Sequence, residues 1–201
     1  MDQHATVVYL LRHAHTRWTA DEMRPLSPEG ARAAEELADY LAAVPISHIV
    51  SSDSLRAQQT VAPLARRLAL PVVLEPDLRE RRLITPTLPA RLLRGEEAFR
   101  GEEAFRDAVR ATWEAPHSTH PGGESNAAAQ ARGVAVLQRL RRAHNDSPIV
   151  MSTHGNLLTL ILHHFDPSIG FDFWDTLQMP DIVILTIDDQ NQSKTCRPEW
   201  H

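Results

Sequence analysis

A single cysteine, Cys196, excludes an internal disulfide. Long apolar runs are missing as well: no segment approaches the roughly 20 residues needed to cross a bilayer. The first apolar stretch, Thr6 to Leu11, is short and is closed at once by Arg12, which is not the pattern of a signal peptide. The expected location is therefore cytoplasmic, with no membrane partner. Positive charge is not in excess either. Lys and Arg number 21 against 26 Asp and Glu, a formal net charge of −5, so no overall basic field exists to hold nucleic acid or an anionic membrane. Any anion site must be local. What is present is ordinary for a folded chain, with 42% hydrophobic and 23% charged residues. The length of 201 residues fits one domain, 1–201, with room for an inserted subdomain.

Apolar runs at Thr6 to Leu11, Ile46 to Ser51, Pro71 to Leu74, Ile149 to Ser152 and Ile182 to Ile187 read as short buried strands. Helical patterns lie between them. Ser27-Pro28-Glu29 supplies an N-cap, a first-turn proline and a first-turn acid for a helix to about Ala43. Ser54 to Leu68 has helical spacing, with Pro63 placed to kink it, and helices follow over Ser125 to Ala143 and about Asn156 to His163. Strands alternating with helices predict an α/β fold, a three-layer α/β/α sandwich with a mostly parallel central sheet. Residues 81–121 break the pattern. They hold Pro86, Pro89, Pro116 and Pro121 and a tandem repeat, Arg94 to Phe99 followed by Arg100 to Phe105, and read as a helical cap insertion. Glu96 with Arg100 and Glu102 with Arg106 are spaced for i,i+4 pairs on a solvated face.

Arg12-His13 directly follows the first strand, where open α/β sheets form their ligand crevices. Arg offers a planar fork of donors for phosphate oxygens, and a neutral imidazole nitrogen can attack phosphorus. Two more segments follow predicted strands: Ser51 to Thr60, containing Arg56, and Ser152-Thr153-His154-Gly155-Asn156. Each alone has a structural reading, Arg56 as an exposed helix residue and His154 as a turn histidine. Their convergence on one sheet edge favours a phosphate site. A metal pair at His13 and His15 is a weaker reading, because no carboxylate cluster completes a hydrolytic centre.

Leu11 to Trp18, the Ser-x-x-x-Arg-Ala-x-Gln-Thr block ending at Thr60, Ser152-Thr153-His154-Gly155 and Gly122-Gly123-Glu124-Ser125 together resemble the motifs of the histidine phosphatase superfamily, the phosphoglycerate-mutase-like family. The resemblance implies His13 as phosphoryl acceptor, and Arg12, Arg56 and His154 as binders of the phosphoryl oxygens. It also implies Glu80 of Leu78-Arg79-Glu80-Arg81 as proton donor, an assignment spacing alone does not make. Gly155 and Thr19 fall at phosphate-binding positions, although Thr19 stands where family members often carry Asn, and Ala14 and His15 where they often carry Gly and Glu. Trp18, Arg81, Arg82, Glu124 and Ser125 are candidates for contact with the rest of the substrate.

The implied activity is hydrolysis of a small phosphorylated metabolite through phosphohistidine, with no cofactor and no metal. Arg81-Arg82-Leu83-Ile84 does not continue into the long substrate segments of the glycolytic mutases, which favours a phosphatase over mutase-type phosphoryl transfer. A non-catalytic phosphate-binding module is the reading from a different class, and intact His13, Glu80 and His154 speak against it.

Overall fold

A computed structural model gives the architecture. It describes residues 5–17, 24–83, 98–144 and 147–200, with backbone alone at 98–102. Six strands form one sheet: β1 (Ala5–Arg12), β2 (His48–Ser51), β3 (Val72–Leu74), β4 (Ile149–Thr153), β5 (Asp181–Asp188) and β6 (Ser193–Cys196), in the order β3-β2-β4-β1-β5-β6. β3, β2, β4 and β1 run parallel; β5 is antiparallel to β1, and β6 to β5.

Alternation along the central strands separates two cores. Val8 and Leu10 of β1 with Ile149 and Met151 of β4 face one side, where they meet α4 (Asn126–Ala143) and α5 (Gly155–Phe165). Leu11 of β1 with Val150 of β4 and Ile49 of β2 face the other, against α1 (Pro28–Leu41) and α2 (Leu55–Leu68). Helices thus cover both faces of a mostly parallel sheet, as the alternating pattern requires. Each fully buried Leu or Ile contributes about 1.5–3 kcal/mol by leaving water, and β4, at the centre of the sheet, is buried along its whole length.

The local signals account for the helix starts. Ser27 Oγ accepts the Gly30 N–H at 3.0 Å, capping α1, and Ser125 Oγ accepts the Ala128 N–H at 3.2 Å, capping α4. The helix α2 continues through the buried Pro63. Three elements lie outside the sequence expectation, a 3-10 turn at Pro76–Leu78, the short helix α6 (Phe171–Thr176) and the edge strand β6, whose Ser193-Lys194-Thr195-Cys196 carries no apolar pattern.

Of the 81–121 interval, residues 81–83 and 98–121 are described, the latter beginning with α3 (Ala98–Glu114). Its Val109 is buried in the core that holds Trp174 of α6, and Arg106 is paired with Asp175 of α6. The first repeat copy, with Glu96, lies almost wholly outside the described residues, as do Trp18 and Thr19.

Candidate active site

Strand register brings the three predicted segments together. Arg12 pairs with Thr153 across β1 and β4, and Ser51 with Ser152 across β2 and β4, so the residues just beyond these strands emerge side by side. The His13 N–H donates to the Thr153 carbonyl at 3.1 Å, and the Ser52 N–H to the Ser152 carbonyl at 2.8 Å. His13 and His154 then stand edge to face, their ring centroids 5.2 Å apart.

The protonation pattern follows from donor and acceptor rules. Nδ1 of His13 lies 2.8 Å from the Ala14 carbonyl oxygen, which only accepts, so Nδ1 carries the proton and Nε2 holds the lone pair. Burial pushes His13 down to about 3; the Ala14 carbonyl opposes this, and the charges of Arg56, Arg12 and Arg24 add to it. The imidazole is therefore neutral at pH 7, and its free nitrogen is nucleophilic.

His154 is fixed by the converse logic. Arg56 donates through Nη2 to His154 Nδ1 at 3.2 Å, so the proton of the neutral ring sits on Nε2 and is donated to Ser52 Oγ at 3.0 Å. Ser52 Oγ accepts a second bond from the Ser54 N–H and donates to Ser54 Oγ, both at 3.2 Å. Burial first, then His13, Arg56, Arg132 and Arg12, hold His154 well below its ordinary range.

Arg12 donates through Nη1 to the Leu177 carbonyl at 2.6 Å, while its Nε is buried without a partner among the described residues. A Cβ at Gly155 would stand 3.2 Å from Arg12 Nε and 3.1 Å from Trp174 Nε1, so the bare backbone here lets the guanidinium lie against the start of α5.

Glu80 occupies that same helix start. Its Oε1 accepts the Leu157 and Arg81 N–H groups at 3.0 and 2.8 Å, and Oε2 accepts the Asn156 N–H at 3.0 Å. Oε2 therefore keeps one acceptor position outside these three bonds, open to a proton. The Glu80 carboxylate also supports the charged forms of Arg12, Arg56 and Arg81. Arg12, His13, Arg56, Glu80, His154 and Gly155 thus converge.

The remaining candidates are placed differently. Arg81 is 4% exposed, its Nη1 reaching the Glu124 carbonyl at 3.4 Å and its Nε and Nη2 lacking partners among the described residues. Arg82 is exposed, and its carbonyl accepts the Glu124 N–H at 2.9 Å. The Glu124 carboxylate is held by Arg132 through two bonds of 2.7 and 2.8 Å, and Ser125 caps α4. His15 directs Nδ1 to Ser27 Oγ at 2.8 Å, so the neighbouring histidines turn their Nδ1 atoms to separate partners. Among the described residues no group of three or more His, Cys, Asp or Glu is gathered as metal ligands.

Several supporting residues carried no signal of their own. Thr60 Oγ1 accepts the Ala14 N–H at 2.9 Å and donates to the Arg56 carbonyl at 2.7 Å, joining the loop that carries His13 to the helix that carries Arg56. Gln59 Oε1 accepts the Leu26 N–H at 2.8 Å, and Thr153 Oγ1 donates to the Leu78 carbonyl at 2.7 Å, two residues before Glu80. Ser52, Gln59 and Thr60 lie inside the Ser-x-x-x-Arg-Ala-x-Gln-Thr block and Thr153 inside Ser152-Thr153-His154-Gly155, so the motifs mark them although no single residue does.

The family model of the histidine phosphatase superfamily (branch 1) matches residues 8–197. The chain is 38% identical over 79 residues to the probable phosphoglycerate mutase GpmB of Cronobacter sakazakii, covering 36% of this chain and 37% of that protein. It is 29% identical over 163 residues to the probable phosphoglycerate mutase GpmB of Proteus mirabilis, covering 77% and 72%. The matched region thus spans little more than a third of the first relative's length. Among solved structures, the mycobacterial glucosyl-3-phosphoglycerate phosphatase is similar in fold, with a TM-score of 0.74 at 22% identity over 96% of this chain and 98% of that one.

Proposed function

This chain belongs to the histidine phosphatase superfamily (branch 1), and from that membership we propose that it is a phosphatase hydrolysing a small phosphomonoester through a phosphohistidine on His13. The observation that carries the proposal is the Nδ1–H bond of His13 to the Ala14 carbonyl, which leaves Nε2 unprotonated beside Arg12, Arg56 and His154. Nε2 attacks phosphorus, the P–O bond to the leaving group breaks, and the departing oxygen takes a proton from Glu80. The ring becomes positively charged as the P–N bond forms, and the Ala14 carbonyl is already placed to accept the more acidic Nδ1–H. Water then attacks, Glu80 takes its proton, the P–N bond breaks, and the lone pair returns to Nε2. Arg12 and Arg56 supply fixed cations to a phosphate of about −1.5 to −2, so the mechanism needs no metal.

Phosphoglycerate-mutase-type transfer is the second reading, favoured by the names of the curated relatives. The two differ in whether water or a second hydroxyl receives the phosphoryl group. Purified protein with chelator, given a panel of phosphorylated metabolites that includes 2- and 3-phosphoglycerate, separates them. Free phosphate without isomerisation supports the phosphatase, and isomerisation the mutase. Acid-free quench with labelled substrate should trap phosphoenzyme, which His13→Ala abolishes; normal turnover by that variant excludes His13 as nucleophile. Arg56→Ala should lower the rate about 10²- to 10³-fold, as loss of one oxyanion donor does, and a change below about threefold would mark Arg56 as screened from the chemistry.

A further inference from the structure

The C-terminal residues after β6 carry no motif, yet one of them reaches the site through two steps. We propose that Arg197 is a positioning residue for Arg12, holding both the carbonyl that Arg12 binds and the carboxylate that would otherwise compete for it. The proposal rests on the reading of Arg12 as a phosphate ligand.

Arg197 grips a three-residue segment from both sides. Its Nη2 donates to the Thr176 carbonyl at 2.8 Å and its Nη1 to Thr176 Oγ1 at 3.1 Å. Its Nε donates to Asp181 Oδ1 at 3.0 Å, and Nη2 is also paired with Asp181 Oδ2. Asp181 Oδ2 in turn accepts the Gln178 N–H at 2.8 Å. Thr176 and Gln178 are thereby tied to one ion pair, and the carbonyl between them, that of Leu177, is the acceptor for Arg12 Nη1 at 2.6 Å.

The second part of the role is electrostatic. Arg12 and Asp181 are register partners across β1 and β5, and the carboxylate is near enough to favour the charged guanidinium. Asp181 is 2% exposed, and a buried carboxylate without a partner is costly, so it captures whatever cation is within reach. Its oxygens are occupied by Arg197 and by the Gln178 and Ile182 N–H groups, which leaves Arg12 to the Leu177 carbonyl rather than to the carboxylate. Removing Arg197 frees the carboxylate to draw Arg12 away from the crevice. Lysine at 197 restores charge to Asp181 but not the fork that reaches Thr176 at the same time.

Calorimetric titration with inorganic phosphate tests this on the full chain, comparing wild type, Arg197→Ala, Arg197→Lys, Arg12→Ala and the double variant Arg197→Ala/Asp181→Asn. Arg197→Ala should weaken phosphate binding about tenfold or more, with Arg197→Lys in between. The double variant should recover part of the affinity, although it restores none of the clamp's bonds and melts no higher than Arg197→Ala. A purely structural role predicts no such recovery, and its absence overturns the proposal. So does a dissociation constant within twofold of wild type for Arg197→Ala while Arg12→Ala loses binding. If Arg197→Ala does not fold, Arg197→Lys decides by the same twofold limit. Unchanged binding by Arg12→Ala would instead overturn the phosphate reading of Arg12, and the proposal with it.

Discussion

The proton on His13 Nδ1 determines which nitrogen can attack, and a single backbone carbonyl, that of Ala14, places it. Ala14 is in turn held through its own N–H by Thr60, so a side chain on α2 helps fix a tautomer at the end of β1. With its pKa pushed down to about 3, free His13 should stay neutral well below pH 6.5. Imidazole ¹⁵N shifts of His13 should show the Nδ1–H tautomer and no inflection between pH 8 and 5; an inflection near 6.5 would show that burial and the arginines do not govern the ring. Glu80 poses a different problem. Glu80→Gln looks isosteric in sequence, yet all three bonds to Glu80 come from backbone N–H donors. With its carbonyl oxygen at the Oε1 position, the amide NH₂ would confront the Asn156 N–H, adding a cost of about 1–3 kcal/mol for an unsatisfied group. The variant should therefore lose stability as well as proton transfer. The chemical part is isolated by leaving group: phosphorylation by an alkyl phosphate should fall about 10²- to 10⁴-fold, and by p-nitrophenyl phosphate much less. Equal losses in pre-steady-state bursts would assign Glu80 to structure alone.

Strand ends and helix starts do most of the positioning. Arg12, Ser52 and His154 stand next to one another because β1, β4 and β2 are adjacent and in register; three short apolar runs each followed by polar residues pointed to one sheet edge, but not to the strand order. The antiparallel course of β5 was not readable, since a buried strand has the same apolar run in either direction. The edge strand β6 was silent because one neighbour and an exposed face demand no apolar pattern. Tertiary partners such as Asp181, Leu177 and Arg132 had no signal at all, because their contacts join segments far apart in the chain. Gly155 shows how closely the start of α5 is fitted. Alanine there would press on Trp174 Nε1 at 3.1 Å and on Arg12 Nε and Cζ at 3.2 and 3.3 Å, requiring a shift of a few tenths of an ångström in a core side chain, in Arg12, or in both. Gly155→Ala should fold and lose roughly tenfold in kcat/KM, less than the roughly 10²-fold of a 1 Å misplacement. Steady-state kinetics on the folded variant checks this, and an unchanged kcat/KM would mean that Arg12 has slack or lies away from the phosphoryl group.

For the whole molecule, a crevice built to keep two histidines neutral makes stability depend on pH in a defined window. His13 and His154 both lie below their ordinary value of 6.5 in the folded state, and His48, beside His144, is lowered too. Between about 6.5 and the folded values the unfolded chain binds protons that the native chain refuses, so stability must rise with pH there and fall as pH drops. Each such histidine contributes up to about 1.4 kcal/mol per pH unit across its window. Glu124 has the same sign, since Arg132 lowers it despite its partial burial, but its contribution is lost only as pH falls below the unfolded value of 4.5. The interval from 6.5 to 4.5 therefore isolates the histidines from this carboxylate. Urea unfolding in phosphate-free buffer should give midpoints that decline steadily from pH 7 to 5. His13→Asn, which cannot titrate, should decline less steeply by up to one proton's worth, about 1.4 kcal/mol per pH unit. Identical slopes for the two proteins would show that His13 has the same proton affinity folded and unfolded, and that the neutral nucleophile is not a property of the folded crevice.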